Sequence, residues 1–246
     1  MQMLNVMVTG ASRGIGLAIS SRLAAVGYRV IGVARTAGQE IAEATLTARK
    51  AGHGEIHPFA FDLSQIDKIH DLVKTARRSF GPLYGLVNNA ALGTSGLLAT
   101  MPEKQIHDTI RLNVDSPMVL TKHVVKHMMA DGGGRIVNIG SIIGFTGYSG
   151  LSVYGATKSA VTGFTRSLSR EVGRLGITVN AIAPGFISTE MTKDLDDGQR
   201  EQIVRRNALR RMPEVDDVAN AVEFLLGEGG RNITGTTITV DAGSTA

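Results

Sequence analysis

The sequence predicts a single α/β domain over residues 1–246: a doubly wound parallel sheet with helices on both faces. Three observations carry this expectation. Short apolar runs of strand length alternate with longer stretches of helical periodicity. Glycines 10, 14 and 16 fall between the first such run and the first helical pattern. Ser141 directly follows a short buried strand over 136–139, and an open α/β sheet places its functional groups outside the carboxyl ends of its strands.

Composition is compatible with one large core and excludes several functions. The chain has 246 residues, 43% of them apolar, and neither a Pro- or Ser-rich linker nor an internal repeat divides it. With no cysteine there is no disulfide framework and no thiolate metal site. The net charge of +4 is interspersed rather than concentrated, and aromatics are only 4%, so a nucleic-acid partner is not expected. No apolar run approaches membrane-spanning length, and Met1 to Gly10 has no basic region ahead of an apolar core. A soluble cytoplasmic protein without a membrane partner is expected.

Taken in order, residues 5–9 form the first strand and 17–27 continue a helix. The turn between them holds Gly10, Ser12, Arg13, Gly14, Ile15 and Gly16, whose small residues allow backbone and helix N-terminal amides to approach a diphosphate. A second strand over 29–34 ends at Ala34, where an NAD-reading fold usually carries an acid for the ribose hydroxyls. Here Arg35 follows. A guanidinium pairs with the additional phosphate of NADP, and Arg13 can reach the same group, so NADP is expected over NAD. After a helix over 38–51, the third strand, 56–61, ends at Asp62 and Leu63. Asp62 suits either an adenine amino group, with Leu63 covering the ring, or a plain helix N-terminal role.

A helix over 65–80 and a strand over 83–87 lead to Asn88, Asn89, Ala90 and Ala91. The asparagines can tie strand ends together, and the alanines leave room for a flat cofactor. One long helix is expected over 102–129, with Asn113 as an internal polar group and Pro117 bending the helix so that freed carbonyls can hold a water. His123 and His127 lie four apart there but lack the glutamate of a zinc-hydrolase helix, so no metal is expected.

Beyond Ser141, a helix over 152–174 carries Tyr154 and Lys158, and a four-residue step stacks them on one face. An ammonium there favours the phenolate, moving the phenol toward the working range for proton transfer to or from an oxygen held by Ser141. A strand over 178–183 closes at Pro184 and Gly185, a turn where backbone can meet cofactor, and Thr189 is placed to bond a nicotinamide carboxamide. Residues 186–212 form the expected substrate loop, with Arg205, Arg206, Arg210 and Arg211 either as a solvated face or as a dock for a phosphate-bearing carrier. A helix over 213–227 and a strand over 236–240 end the chain.

These motifs in this order resemble the short-chain dehydrogenase/reductase family across essentially the whole chain. The resemblance implies a Rossmann-like sheet in the order 3-2-1-4-5-6-7. It also implies Ser141 orienting substrate, Tyr154 as acid/base, Lys158 lowering the tyrosine pKa and binding nicotinamide ribose, and Asn113 holding a relay water. The glycine turn, Asp62, Asn89, Ala90, Pro184, Ile187 and Thr189 match cofactor positions, and assembly as a homotetramer is expected. Within the family the chain looks most like 3-oxoacyl carrier-protein reductases, through Gly185 to Thr192 and Ile233 to Gly243. Two departures stand out: Ala91 replaces a glycine, and residues 130–133 replace basic residues that would attract an acidic carrier. A small carbonyl or thioester-linked substrate is therefore expected. A sugar, polyol or other secondary-alcohol dehydrogenase is the rival reading, and a non-catalytic NADP-binding sensor is the alternative of another class.

Overall fold

The computed structural model describes residues 3–188 and 196–246. Seven strands make one sheet in the order β3-β2-β1-β4-β5-β6-β7, all paired in parallel. They are β1 Asn5–Thr9, β2 Arg29–Ala34, β3 Glu55–Ala60, β4 Leu83–Asn88, β5 Gly134–Ile139, β6 Ile177–Pro184 and β7 Thr237–Val240. The order reverses between β2-β1 and β1-β4, which opens a crevice at the carboxyl ends of β1 and β4.

Two cores sandwich the sheet because successive side chains of a strand point to opposite faces. Val6 and Val8 of β1, Val87 of β4 and Ile182 of β6 meet α1 (Gly14–Ala25), α2 (Gln39–Ala51) and α9 (Val215–Leu226). Met7, Leu86 and Val179 on the other face meet α3 (Ile69–Phe80), α5 (Ser116–Asp131) and α7 (Ser152–Val172). Among the described residues no helix is long and apolar enough to cross a membrane.

The helix expected over 102–129 is divided. α4 (Glu103–Ile110) passes into one wide turn, Arg111–Asp115, in which the Ser116 N–H bonds the Arg111 carbonyl five residues back, before α5 begins. Pro117 has no N–H for the Asn113 carbonyl, and the chain widens where that bond would have formed. The helix expected over 65–80 likewise opens with a tight turn, Ile66–Lys68, ahead of α3. Among the described residues, α6 (Ile143–Thr146) precedes α7, and α8 (Asp197–Arg206) lies in the segment expected to carry no strand.

Candidate active site

The glycine turn folds against the ends of β1 and β4. Gly10 and Gly14 have φ of +67° and +54°, the left-handed region that glycine enters freely. A Cβ on Gly16 would lie 2.1 Å from the Gly10 carbonyl oxygen, so the turn closes only without a side chain there. Asn89 Nδ2 donates to the Thr9 carbonyl at 2.9 Å and the Gly10 carbonyl at 3.3 Å, locking the turn to β4. The Thr9 hydroxyl in turn accepts from the Asn89 and Ala90 amides at 2.9 and 3.0 Å. Arg13 begins α1 without a side-chain cap, and no acid stands in the first turn. The amides of Gly14, Ile15 and Gly16 therefore face the crevice with no side chain competing for them, the donor set a diphosphate requires. Ser12 is half-buried beside them.

At the neighbouring strand ends Arg13 and Arg35 are exposed. Asp62 takes the turn role: its Oδ1 accepts from the Ser64 amide at 2.9 Å. That bond, with Arg35 nearby as a smaller contribution, holds its carboxyl below the ordinary value. Leu63, next to it, is buried against Ile31 and Val33 of β2. Ala90 and Ala91 are half-buried along the crevice. Pro184 accepts from the Ile142 amide at 3.0 Å, which ties the end of β6 to the segment after Ser141. Gly185 packs so tightly on Asp241 that a Cβ would fall 2.8 Å from the Asp241 Cβ. Ile187 is buried in the core of the α1 face, and Thr189 lies outside the described residues.

Ser141, Tyr154 and Lys158 converge at the carboxyl end of β5. The turn after Ser141 can lie on α7 because Gly144 has no side chain; a Cβ there would meet the Lys158 backbone at 2.9 Å. The Ser141 hydroxyl accepts from the Ile143 amide at 3.2 Å and stands near enough to the Tyr154 phenol to favour its ionised form. Lys158 Nζ lies 5.6 Å from the centre of the Tyr154 ring and donates to the Ile139 carbonyl at 2.9 Å.

The electrostatics depart from the sequence expectation. Burial raises the Tyr154 pKa, and the neighbouring Ser141 hydroxyl opposes it more weakly. Burial also lowers Lys158 to about 8. In the cofactor-free protein, burial therefore dominates the titration of both groups, raising the phenol and lowering the ammonium.

Asn113 is buried and fully engaged. Its Oδ1 accepts from the Leu92 amide at 2.8 Å, and its Nδ2 donates to the Leu92 carbonyl and the Thr157 hydroxyl at 3.0 and 3.1 Å. The side chain thus joins the loop after β4 to α7. A cavity of about 20 Å³ beside it is lined by Asn88, Asn113, Asn138, Pro117, Lys158 and Ile139, among others. Asn88 Oδ1 is buried without a protein partner, and the space suits one water molecule.

Sequence reasoning overlooked Thr157 and the Ile139 carbonyl. Thr157 stands three residues after Tyr154 on the same helical face, and that spacing was a usable signal. The Ile139 carbonyl carried none. Of the four arginines singled out, Arg205 pairs with Glu201 on α8, and Arg210 donates back to the Arg205 carbonyl, which ties them into the local chain. In the segment that departs from the carrier-binding pattern, Asp131 is paired with Arg77.

An open parallel sheet with a glycine turn at its switch point, facing a joined serine, tyrosine and lysine, defines an oxidoreductase of the dinucleotide-binding class. The sequence profile of the short chain dehydrogenase family matches residues 4–200, and the chain belongs to that family. It is similar to the 3-oxoacyl-(acyl-carrier-protein) reductase of Pseudomonas aeruginosa, 38% identical over 237 residues covering 96% of this chain and 95% of that protein. The reductase of the same name from Escherichia coli K12 is 40% identical over 238 residues, covering 96% and 95%. Among solved structures, a blue fluorescent protein from a metagenomic library in complex with NADPH superposes with a TM-score of 0.92 at 33% identity, covering 99% of this chain and 98% of that one.

Proposed function

We propose that the protein catalyses NADP-linked hydride transfer at a carbonyl carbon, acting as a 3-oxoacyl thioester reductase. The observation that carries this reading is the joining of Ser141, Tyr154 and Lys158 at the end of β5, across the crevice from the glycine turn. The thioester substrate is supported by the two reductases that share about two fifths of the sequence.

A bound nicotinamide supplies the hydride in reduction and takes it in oxidation. The uncapped amides of α1 would hold the diphosphate, and the exposed Arg13 and Arg35 would pair with the additional phosphate of NADP. Ser141 donates a hydrogen bond to the substrate oxygen. Tyr154 gives its phenolic proton to that oxygen while the carbon gains the hydride, leaving an alcohol and a phenolate. Lys158, cationic below about pH 8, stabilises the phenolate and would hold the nicotinamide ribose. The water-sized cavity between Asn113 and Lys158 gives the proton a route back.

Assembly as a cytoplasmic homotetramer accompanies this reading and is tested by light scattering of the purified chain. The decisive assay follows NADPH oxidation with an acetoacetyl thioester beside a panel of ketoses and simple ketones. Activity confined to the ketoses overturns the acyl substrate. Tyr154→Phe separates an enzyme from a sensor: turnover falls to background while cofactor affinity remains.

A further inference from the structure

Three loops converge on the mouth of the site. The segment after Ser141 is bonded to the end of β6 through Ile142 and Pro184, and the Gly96 amide donates to the Gly150 carbonyl at 2.9 Å. Asn113 anchors the start of the third loop at Leu92. These loops are unusually apolar where they face solvent. Leu92, Leu97, Leu98, Phe145 and Tyr148 are five of the thirteen exposed large hydrophobic side chains among the described residues. Tyr148 is 50% exposed yet packs its ring against Phe186, with centroids 5.6 Å apart and planes tilted by 59°. Tyr148 stands on the chain between Ser141 and Tyr154, and Phe186 follows the turn bonded to Ile142.

An exposed cluster of this kind is unfavourable in water unless a ligand covers it. It suits a polyhydroxylated substrate poorly, because the phenolic hydroxyl of Tyr148 is the one polar side-chain group among these rings and methyl groups and most of the substrate's hydroxyls would be desolvated without partners. A hydrocarbon chain loses nothing there and removes apolar area from water.

We propose that Tyr148 and Phe186 form an apolar wall that binds a hydrocarbon substituent of several carbons on the reacting carbonyl, making the protein selective for longer acyl chains over short or hydroxylated ones. This rests on the carbonyl-reductase reading of the same site. The tilted pair bridges the loop after β5 and the segment after β6, so both loops contribute to one surface along which the chain lies.

The test measures kcat/KM for 3-oxoacyl N-acetylcysteamine thioesters of four, six and eight carbons in the full chain. It compares the unsubstituted protein, Tyr148→Ala, Phe186→Ala and Tyr148→Phe. A fully buried methylene is worth about fourfold. For this half-open wall the eight-carbon substrate is expected to exceed the four-carbon one by roughly tenfold or more. Either alanine substitution collapses that ratio toward one, and Tyr148→Phe keeps it. Because the readout is a ratio, it does not depend on how much of each variant folds. A flat length series in the unsubstituted protein, or alanine variants that keep the full ratio, overturns the wall while leaving thioester reduction intact. Reduction of ketoses with no thioester turned over overturns both.

Discussion

Replacing Lys158 with methionine is expected to stabilise the cofactor-free protein at pH 7 while abolishing turnover. Lys158 is buried, and its folded pKa of about 8 lies below its ordinary 10.5. At about 1.4 kcal/mol per pKa unit, holding the ammonium inside costs about 3 kcal/mol at neutral pH. Its hydrogen bond to the Ile139 carbonyl returns on the order of 1–2 kcal/mol. Methionine has a similar length and no charge, so the net gain at pH 7 is about 1–2 kcal/mol, or roughly 2–8 °C in Tm for a chain of this size. The sign changes with pH in a defined way. Between pH 8 and 10.5 the unfolded chain binds more protons at this residue than the folded one, so the unsubstituted protein gains stability as pH rises through that window. The advantage of the variant therefore shrinks by about 2 kcal/mol between pH 7 and 9.5. Chemical denaturation of both proteins at the two pH values measures it. A variant less stable at pH 7, or an advantage equal at both pH values, refutes the claim that burial of this cation is costly.

The same structure yields three further expectations. Gly16→Ala forces a Cβ to within 2.1 Å of the Gly10 carbonyl, so the turn must open; a loss of about 1–3 kcal/mol in denaturation and a weaker cofactor dissociation constant are expected. Arg35→Ala should lower the NADP-over-NAD ratio of kcat/KM by roughly 10- to 100-fold, the worth of one charge-assisted contact, with little change for NAD. Asn113→Leu removes three hydrogen bonds that join the Leu92 loop to Thr157. It should cost about 2–4 kcal/mol in denaturation, and kcat should fall as the loop loses its anchor beside the catalytic helix.

Much of the fold was legible because it is written in local periodicity. Apolar runs such as 5–9 and 177–184 have the length and continuity of strands buried on both faces, and the helical stretches between them require parallel crossovers. The wide turn at Arg111–Asp115 was only half legible: Pro117 announced a disturbance, but a bend and an extra residue per turn look alike in sequence. At the site, residue types and spacings were readable because helical geometry fixes which positions share a face, as with Tyr154 and Lys158. The partners of Lys158 and Asn113 were not, since they are the Ile139 and Leu92 backbone groups and the Thr157 hydroxyl, brought near by the fold from other segments. The Tyr148–Phe186 contact escaped for the same reason.

By itself the sequence determined the order of strands and helices, the glycine turn and the placing of a serine, a tyrosine and a lysine at strand and helix ends, because these depend on short-range sterics and hydrogen-bond periodicity. Only the tertiary structure decided the charge balance among those three groups and the character of the surface around them. Burial of Lys158, not its spacing from Tyr154, controls when it loses its proton, and burial is a property of everything packed around a residue.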